Sequence, residues 1–304
     1  MLSDRQLATR TLASALQVAP VTAAARRLSS GRLRVVAYHG VSDPRALVDQ
    51  IAALRRRYQL VTGDDIARAV ATGEKLPPAS LWLTFDDGHP DAFAVADLLA
   101  EEGVSACMFV CPGTLDTRVP FWWQVVDHAG GAGVIAPGEQ TQFSRARLKM
   151  LPDPERRAEV AVLEERLRDR LGQPLTVEQA TQHDLRRWCE AGHEIGNHTW
   201  DHPCLPRCTD PEQRRQLVQA HETLVSWGIA PRFFAYPNGD LGEEAERTAQ
   251  ELGYVASFLF DHRLTRLDES SHRLSRLRLD ASASVGRARS IASGAHSAAF
   301  GILR

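Results

Sequence analysis

No run of eighteen consecutive apolar residues occurs in this chain, so nothing in it reads as a membrane-spanning helix. Charge of one sign is also scarce. The 36 Lys and Arg against 38 Asp and Glu leave a formal net charge of -2, which argues against a nucleic-acid partner held through phosphate neutralisation. Cysteine is sparse: Cys107, Cys111, Cys189, Cys204 and Cys208 make five, an odd number, in a 304-residue chain too large to need disulfide staples. A reducing compartment is the simpler reading. Cys204 and Cys208 follow His202 closely, but a structural thiolate zinc site needs two further thiolates at a matching spacing, and they are missing. An export signal is lacking too, since Asp4 comes early and Gln17 interrupts the only candidate apolar stretch.

What is present has the balance of a globular protein, 43% hydrophobic and 24% charged, at a length normal for one α/β barrel. Residues 1–30 form an N-terminal extension in which Leu7, Leu12, Leu16 and Val18 give a weak apolar helix face broken by Pro20. Docking on its own domain is the plainer reading of that face; peripheral contact with a membrane surface is the other. Without an export signal, the cytoplasm, at the inner face of the membrane, is the expected location.

From residue 33 the chain alternates strand and helix signals. Apolar runs at 33–38, 58–61, 81–85 and 105–110 read as strands, separated by helical patterns at 43–57, 64–70 and 91–102. The rhythm breaks over residues 112–182, with a Gly-rich piece at 130–138 and a charged helical piece at 154–171, and this stretch reads as a helical insertion. Inside it, Phe121, Trp122 and Trp123 could fill a core or stack on sugar rings, and core filling is favoured. The alternation resumes with strands around 193–197, 232–236 and 254–258 and an apolar-alternating stretch at 274–279. About seven strands separated by helices predict a distorted (β/α) barrel, occupying residues 31–285 and followed by a tail over 286–304.

Two short segments more than a hundred residues apart carry the chemistry: Thr84-Phe85-Asp86-Asp87-Gly88 and His198-Thr199-Trp200-Asp201-His202. Each follows a predicted strand, where parallel α/β folds gather their active groups. Carboxylate oxygen and imidazole nitrogen together suit a zinc-like cation. Taken singly, adjacent aspartates before a glycine are more often turn and capping residues, and a lone His198 could be a hydrogen-bonded core residue. Their joint occurrence favours a metal site.

The two segments resemble the signature of the polysaccharide deacetylases, the NodB-homology group of carbohydrate esterases. Val35-Val36-Ala37-Tyr38-His39 resembles the first strand of one bacterial branch, and Phe233-Phe234-Ala235-Tyr236-Pro237-Asn238-Gly239 is similar to the family's third motif. The resemblance implies a carbohydrate substrate, usually an N-acetylated amino sugar, and a divalent ion, zinc by preference. It implies Asp87, His198 and His202 as metal ligands and Asp86 as general base, with the turn at Tyr236, Pro237 and Asn238 and the strand-end His39 in substrate contact. For the general acid it leaves His262 and His272, of which His262 ranks first. Two departures stand out: Ala235 occupies the position where many relatives carry an Arg that braces the base, and Asn238 replaces the usual aromatic. They motivate the alternative of a sugar-binding protein on the same fold with impaired turnover. A phosphatase with an aspartate nucleophile is a third reading, but it has no use for His198 and His202.

Overall fold

The computed structural model describes residues 19–297, so Leu7, Leu12, Leu16 and Val18 lie outside the described residues. After α1 (Ala19–Leu28), the chain enters the barrel through β1 (Arg34–Tyr38), every residue of which is buried. It continues as α2 (Pro44–Arg55), β2 (Gln59–Leu60), α3 (Gly63–Thr72), β3 (Ser80–Phe85), α4 (Pro90–Phe93), α5 (Ala96–Glu101) and β4 (Ala106–Val110). The helix expected over 91–102 is thus two short pieces, broken at Val95. Helix starts follow local chemistry. Asp43 caps α2 by accepting from the N–H groups of Arg45 and Ala46, while Thr62 and Asp65 form a reciprocal capping box on α3.

The insertion folds as α6 (Trp122–Gly131), α7 (Arg145–Leu148) and α8 (Asp153–Leu171) around a small core of its own, including Val125, Phe143, Leu163 and Leu167. Then come α9 (Gln182–Glu190), β5 (Glu194–Asn197), α10 (Asp210–Ser226), β6 (Phe233–Ala235), α11 (Glu243–Glu251), β7 (Ala256–Phe258), β8 (Leu277–Arg278) and α12 (Val285–Ser293). The last helix occupies residues expected to be tail.

Every pairing between named strands is parallel, in the order β7-β6-β5-β4-β3-β1-β8, with β2 attached beside β3. The sheet curls into a distorted barrel, and one extended segment closes it. Leu274 donates to Ser257 O (3.0 Å) and accepts from Leu259 N (2.8 Å), whereas a few residues later β8 pairs with β1 and Leu279 N reaches Ala37 O (3.1 Å). The seam therefore crosses from β7 to β1 within one stretch of chain.

Side-chain alternation divides the core in two. Leu81, Leu83, Phe85, Val36 and Tyr38 pack outward under the helices, while Trp82, Phe109, Phe233 and Phe258 fill the barrel itself. Their rings meet at 5.1–6.0 Å in tilted or edge-on contacts, which plug the barrel below the carboxyl ends of the strands.

Candidate active site

At that rim β3 delivers Asp86 and Asp87, and β5 delivers His198 with the loop that carries His202. All four are buried. Asp87 and His202 hold left-handed backbone conformations (φ 72° and 60°), as do Asn238 (58°) and His262 (61°). Non-glycine residues rarely adopt that region, and a cluster of them marks a place where geometry is imposed for function.

The ligand atoms of Asp87, His198 and His202 lie within 4.8 Å of one another. Nε2 of His198 stands 3.5 Å and Nε2 of His202 stands 3.4 Å from Oδ1 of Asp87. His198 Nδ1 donates to the carbonyl of Ala235 (2.7 Å), so its Nε2 presents a lone pair to the carboxylate. These separations are too long for hydrogen bonds, yet ligands bound tetrahedrally at zinc distances stand about 3.3 Å apart. Oδ1 of Asp87 is buried with no hydrogen-bond partner. Lone pairs converging on one orphaned carboxylate oxygen fit a cation. The protonation states agree with that. Burial pushes His202 down to about 3, with Asp87 opposing and His198 adding to the shift, so its imidazole is neutral. Burial alone would raise Asp87, but the imidazoles that surround it, those of His198, His89 and His202, outweigh burial and hold the carboxyl well below its usual range.

Asp86 is held differently. Arg276, fully buried, donates from both terminal nitrogens to its two carboxylate oxygens (2.7 and 2.8 Å). Burial again opposes ionisation, and the Arg276 guanidinium overcomes it, so Asp86 is ionised with its pKa below the ordinary value. Phe109 and Phe260 flank the guanidinium at 5.2 and 5.5 Å. The brace that Ala235 cannot supply comes from the strand closing the barrel. Sequence reasoning missed Arg276; the signal was an arginine at the inward parity of the apolar stretch at 274–279, beside Leu274.

A cavity of about 520 Å³ opens above these groups, lined among others by His39, Asp86, Asp87, His198, His202 and Asn238. His262 and Gly239 also line it. His272 does not: its Nδ1 is engaged with Ser257 Oγ (2.9 Å) on the barrel side. Tyr236 and Pro237 are not on the wall either. Tyr236 is buried and donates its hydroxyl to His272 O (2.9 Å), so the turn reaches the cavity through Asn238 and Gly239 alone. At Gly239 (φ 77°) any Cβ would overlap Phe260, which fixes how closely the turn approaches.

The insertion forms the opposite wall. Trp122 sits in the insertion core and also borders the cavity, as does Trp123, which stacks on Phe121 (4.4 Å) and meets His202 edge-on at 4.5 Å. The aromatic run thus serves both packing and the cavity wall. Among the described residues no second group of three or more His, Cys, Asp or Glu is arranged to hold a metal, and all five cysteines are free.

Residues 73–257, more than half the chain, match the polysaccharide deacetylase family model. A peptidoglycan-N-acetylglucosamine deacetylase of Bacillus cereus is 35% identical over 72 residues, which are 23% of this chain and 26% of that protein. A chitin deacetylase of Amylomyces rouxii is 30% identical over 66 residues, 21% of this chain and 16% of the relative. The chain thus spans about a third or less of the curated relatives it matches. Among solved structures, IcaB from Ammonifex degensii superposes with a TM-score of 0.59 at 16% identity, covering 86% of this chain and 97% of that one. The Streptococcus pyogenes deacetylase PplD, in complex with acetate, gives 0.57 at 16% identity over 84% and 96%. At such identities these likenesses establish the fold.

Proposed function

Because this chain belongs to the polysaccharide deacetylase family, we propose that it hydrolyses the acyl group, most simply N-acetyl, of an amino sugar in a polysaccharide, glycolipid or related precursor. The observation that carries the proposal is the floor of the cavity, where an orphaned Asp87 oxygen faced by two imidazole nitrogens lies beside a carboxylate braced by arginine. Asp87, His198 and His202 would hold a divalent ion, zinc by the character of its donors. When bound, such an ion polarises an acyl carbonyl and makes water nucleophilic near neutral pH.

The remaining work falls to the chain's own groups. An acetamide resists attack because resonance stabilises its carbonyl and neutral water is a poor nucleophile. Asp86, ionised and fixed by Arg276, accepts the proton that water loses as the C–O bond forms. The backbone at Asn238 and Gly239, held against Phe260, supports the negative charge gathering on the carbonyl oxygen. Cleavage of the C–N bond then needs a proton on the departing amine. Both His262 and His39 line the cavity; His262 is the first candidate for that donor and His39 the other. Acetate and a free amino sugar leave.

Two measurements test this reading together. Protein stripped of metal should regain acetate release from N-acetyl oligosaccharides on adding zinc or cobalt, and Asp86→Asn should keep the ion while losing turnover by a factor of about 10² to 10⁴. Turnover retained in that variant removes Asp86 from the base role. Oligosaccharide binding without acetate release across a broad panel would instead mark a sugar-binding protein. For location we propose the cytoplasmic side, where a lipid-linked or soluble intermediate would be the substrate; recovery of a processed periplasmic form would overturn that.

A further inference from the structure

Away from the cavity, three helices converge on one buried guanidinium. Arg34, at the start of β1, donates from Nε to Ala292 O in α12 (3.0 Å) and from Nη2 to the Ser29 hydroxyl just beyond α1. It also lies over the ring of Tyr58, just beyond α2, at 5.3 Å. α12 packs on both α1 and α2. Five arginines present accessible side chains around this junction: Arg26 and Arg27 in the last turn of α1, Arg56 and Arg57 after α2, and Arg289 on α12.

Their neighbour Arg55 is paired with Glu102 (3.6 Å), but among the described residues none of these five forms an ion pair. Nε of Arg289 is buried without a hydrogen-bond partner. Burial, and then the charges of Arg57 and Arg56, lower the pKa of Arg289, while Arg34, Arg26 and Arg57 all act on Tyr58. On a chain whose net charge is only -2, five unpaired cations gathered on three adjoining elements are a local concentration, not a general excess. Mutual repulsion disfavours such a cluster unless an anion is brought to it.

We infer that this arginine face docks on an anionic membrane surface, whose headgroups supply the missing negative charge. Two observations select lipid. Leu28 is 91% exposed and Val21 42% exposed on α1 itself, so apolar side chains stand beside the cations. The chain preceding α1 carries Leu2, Leu7, Leu12 and Leu16 with Arg5 and Arg10 against a single acid, Asp4, the composition of a segment that lies in a headgroup interface. No helix among the described residues is long and apolar enough to cross a membrane, so the attachment is peripheral. Arg34 begins β1 whereas Asp86 and Asp87 follow the end of β3, so the face lies toward the end of the barrel opposite the catalytic rim and leaves the cavity open while docked.

The test uses the full chain with vesicles of phosphatidylcholine, with and without phosphatidylglycerol. The protein should sediment with the anionic vesicles alone and dissociate as salt is raised. Each arginine near an anionic surface is worth about fivefold in partition, so combined Arg56→Gln, Arg57→Gln and Arg289→Gln should weaken binding about 100-fold. Circular dichroism establishes that the triple variant is folded; were it not, the single variants Arg56→Gln and Arg57→Gln, each expected to lose about fivefold, decide the matter. Equal partition onto neutral and anionic vesicles, unchanged binding by folded variants, or preference for duplex DNA over the anionic vesicles at the same salt overturns the inference.

Discussion

Asp86 and Arg276 form a fully buried, two-pronged ion pair, and the consequences of breaking it are asymmetric. In Arg276→Met the carboxylate loses the largest of the effects holding its pKa down, and the burial that now opposes them prevails. An uncompensated buried charge costs about 3–5 kcal/mol of stability. In the native protein Asp86 has a depressed pKa, so its contribution is present above the unfolded carboxylate value and is lost as pH falls through the folded one. In the variant the folded pKa lies above the unfolded one, and the penalty is largest at neutral pH and shrinks on acidification. Urea unfolding at pH 7 and pH 5 should show the gap between Arg276→Met and native protein narrowing at the lower pH. The acidic limb of the pH–rate profile should move upward, and adding Asp86→Asn should restore most of the lost stability.

Single elements explain which parts of the site were legible beforehand. Asp86 and Asp87 follow a largely apolar strand and His198 follows a short buried one, and that placement is written locally. The inward reach of Arg276 is not local, because Arg273, Arg276 and Arg278 look alike in a row: Arg273 pairs outside with Glu246, Arg276 enters the barrel and Arg278 reaches the cavity rim. The last helix, α12, was hidden by its mixture of Gly, Ala, Ser and Arg, which carries little apolar periodicity; its start is set by Ser284, which caps Arg287 N. The attachment of the insertion was equally silent. Arg157 on α8 makes a two-pronged contact with Asp201 (3.0 and 3.1 Å), and Gln216 on α10 accepts from the N–H groups of Trp200 and Asp201 (3.0 and 3.2 Å). This strap ties the insertion to the loop bearing His202. Arg157 also donates to the buried Asp153 (2.6 Å), which keeps Arg156 as a second partner, so Arg157→Ala should cost about 1–3 kcal/mol of stability. The loop should nonetheless release its ion faster, which a chelator-chase measurement of zinc dissociation reads directly; an unchanged rate would make the strap purely structural.

For the whole molecule, an ion binding only the folded state stabilises it by mass action, by about 2.7 kcal/mol at a free concentration 100 times its dissociation constant. For a chain of this size each kcal/mol moves the midpoint of thermal unfolding by about 2–4 °C. Calorimetry of stripped protein should therefore show a rise of about 5–10 °C on saturation with zinc. Asp87→Asn should lose nearly all of it. A shift that survives in that variant would place the ion elsewhere.

The seam that closes the barrel also sets a timetable. Asp86 and Arg276 are 190 residues apart, and the later one arrives immediately before the last strand. A nascent chain on the ribosome has made both aspartates and both histidines long before it has made the arginine that fixes the base. Until that segment emerges and docks, the growing polypeptide holds the proposed donors for an ion but not the braced carboxylate on which the proposed turnover rests. On that proposal, synthesis itself delays the onset of chemistry until the barrel can shut.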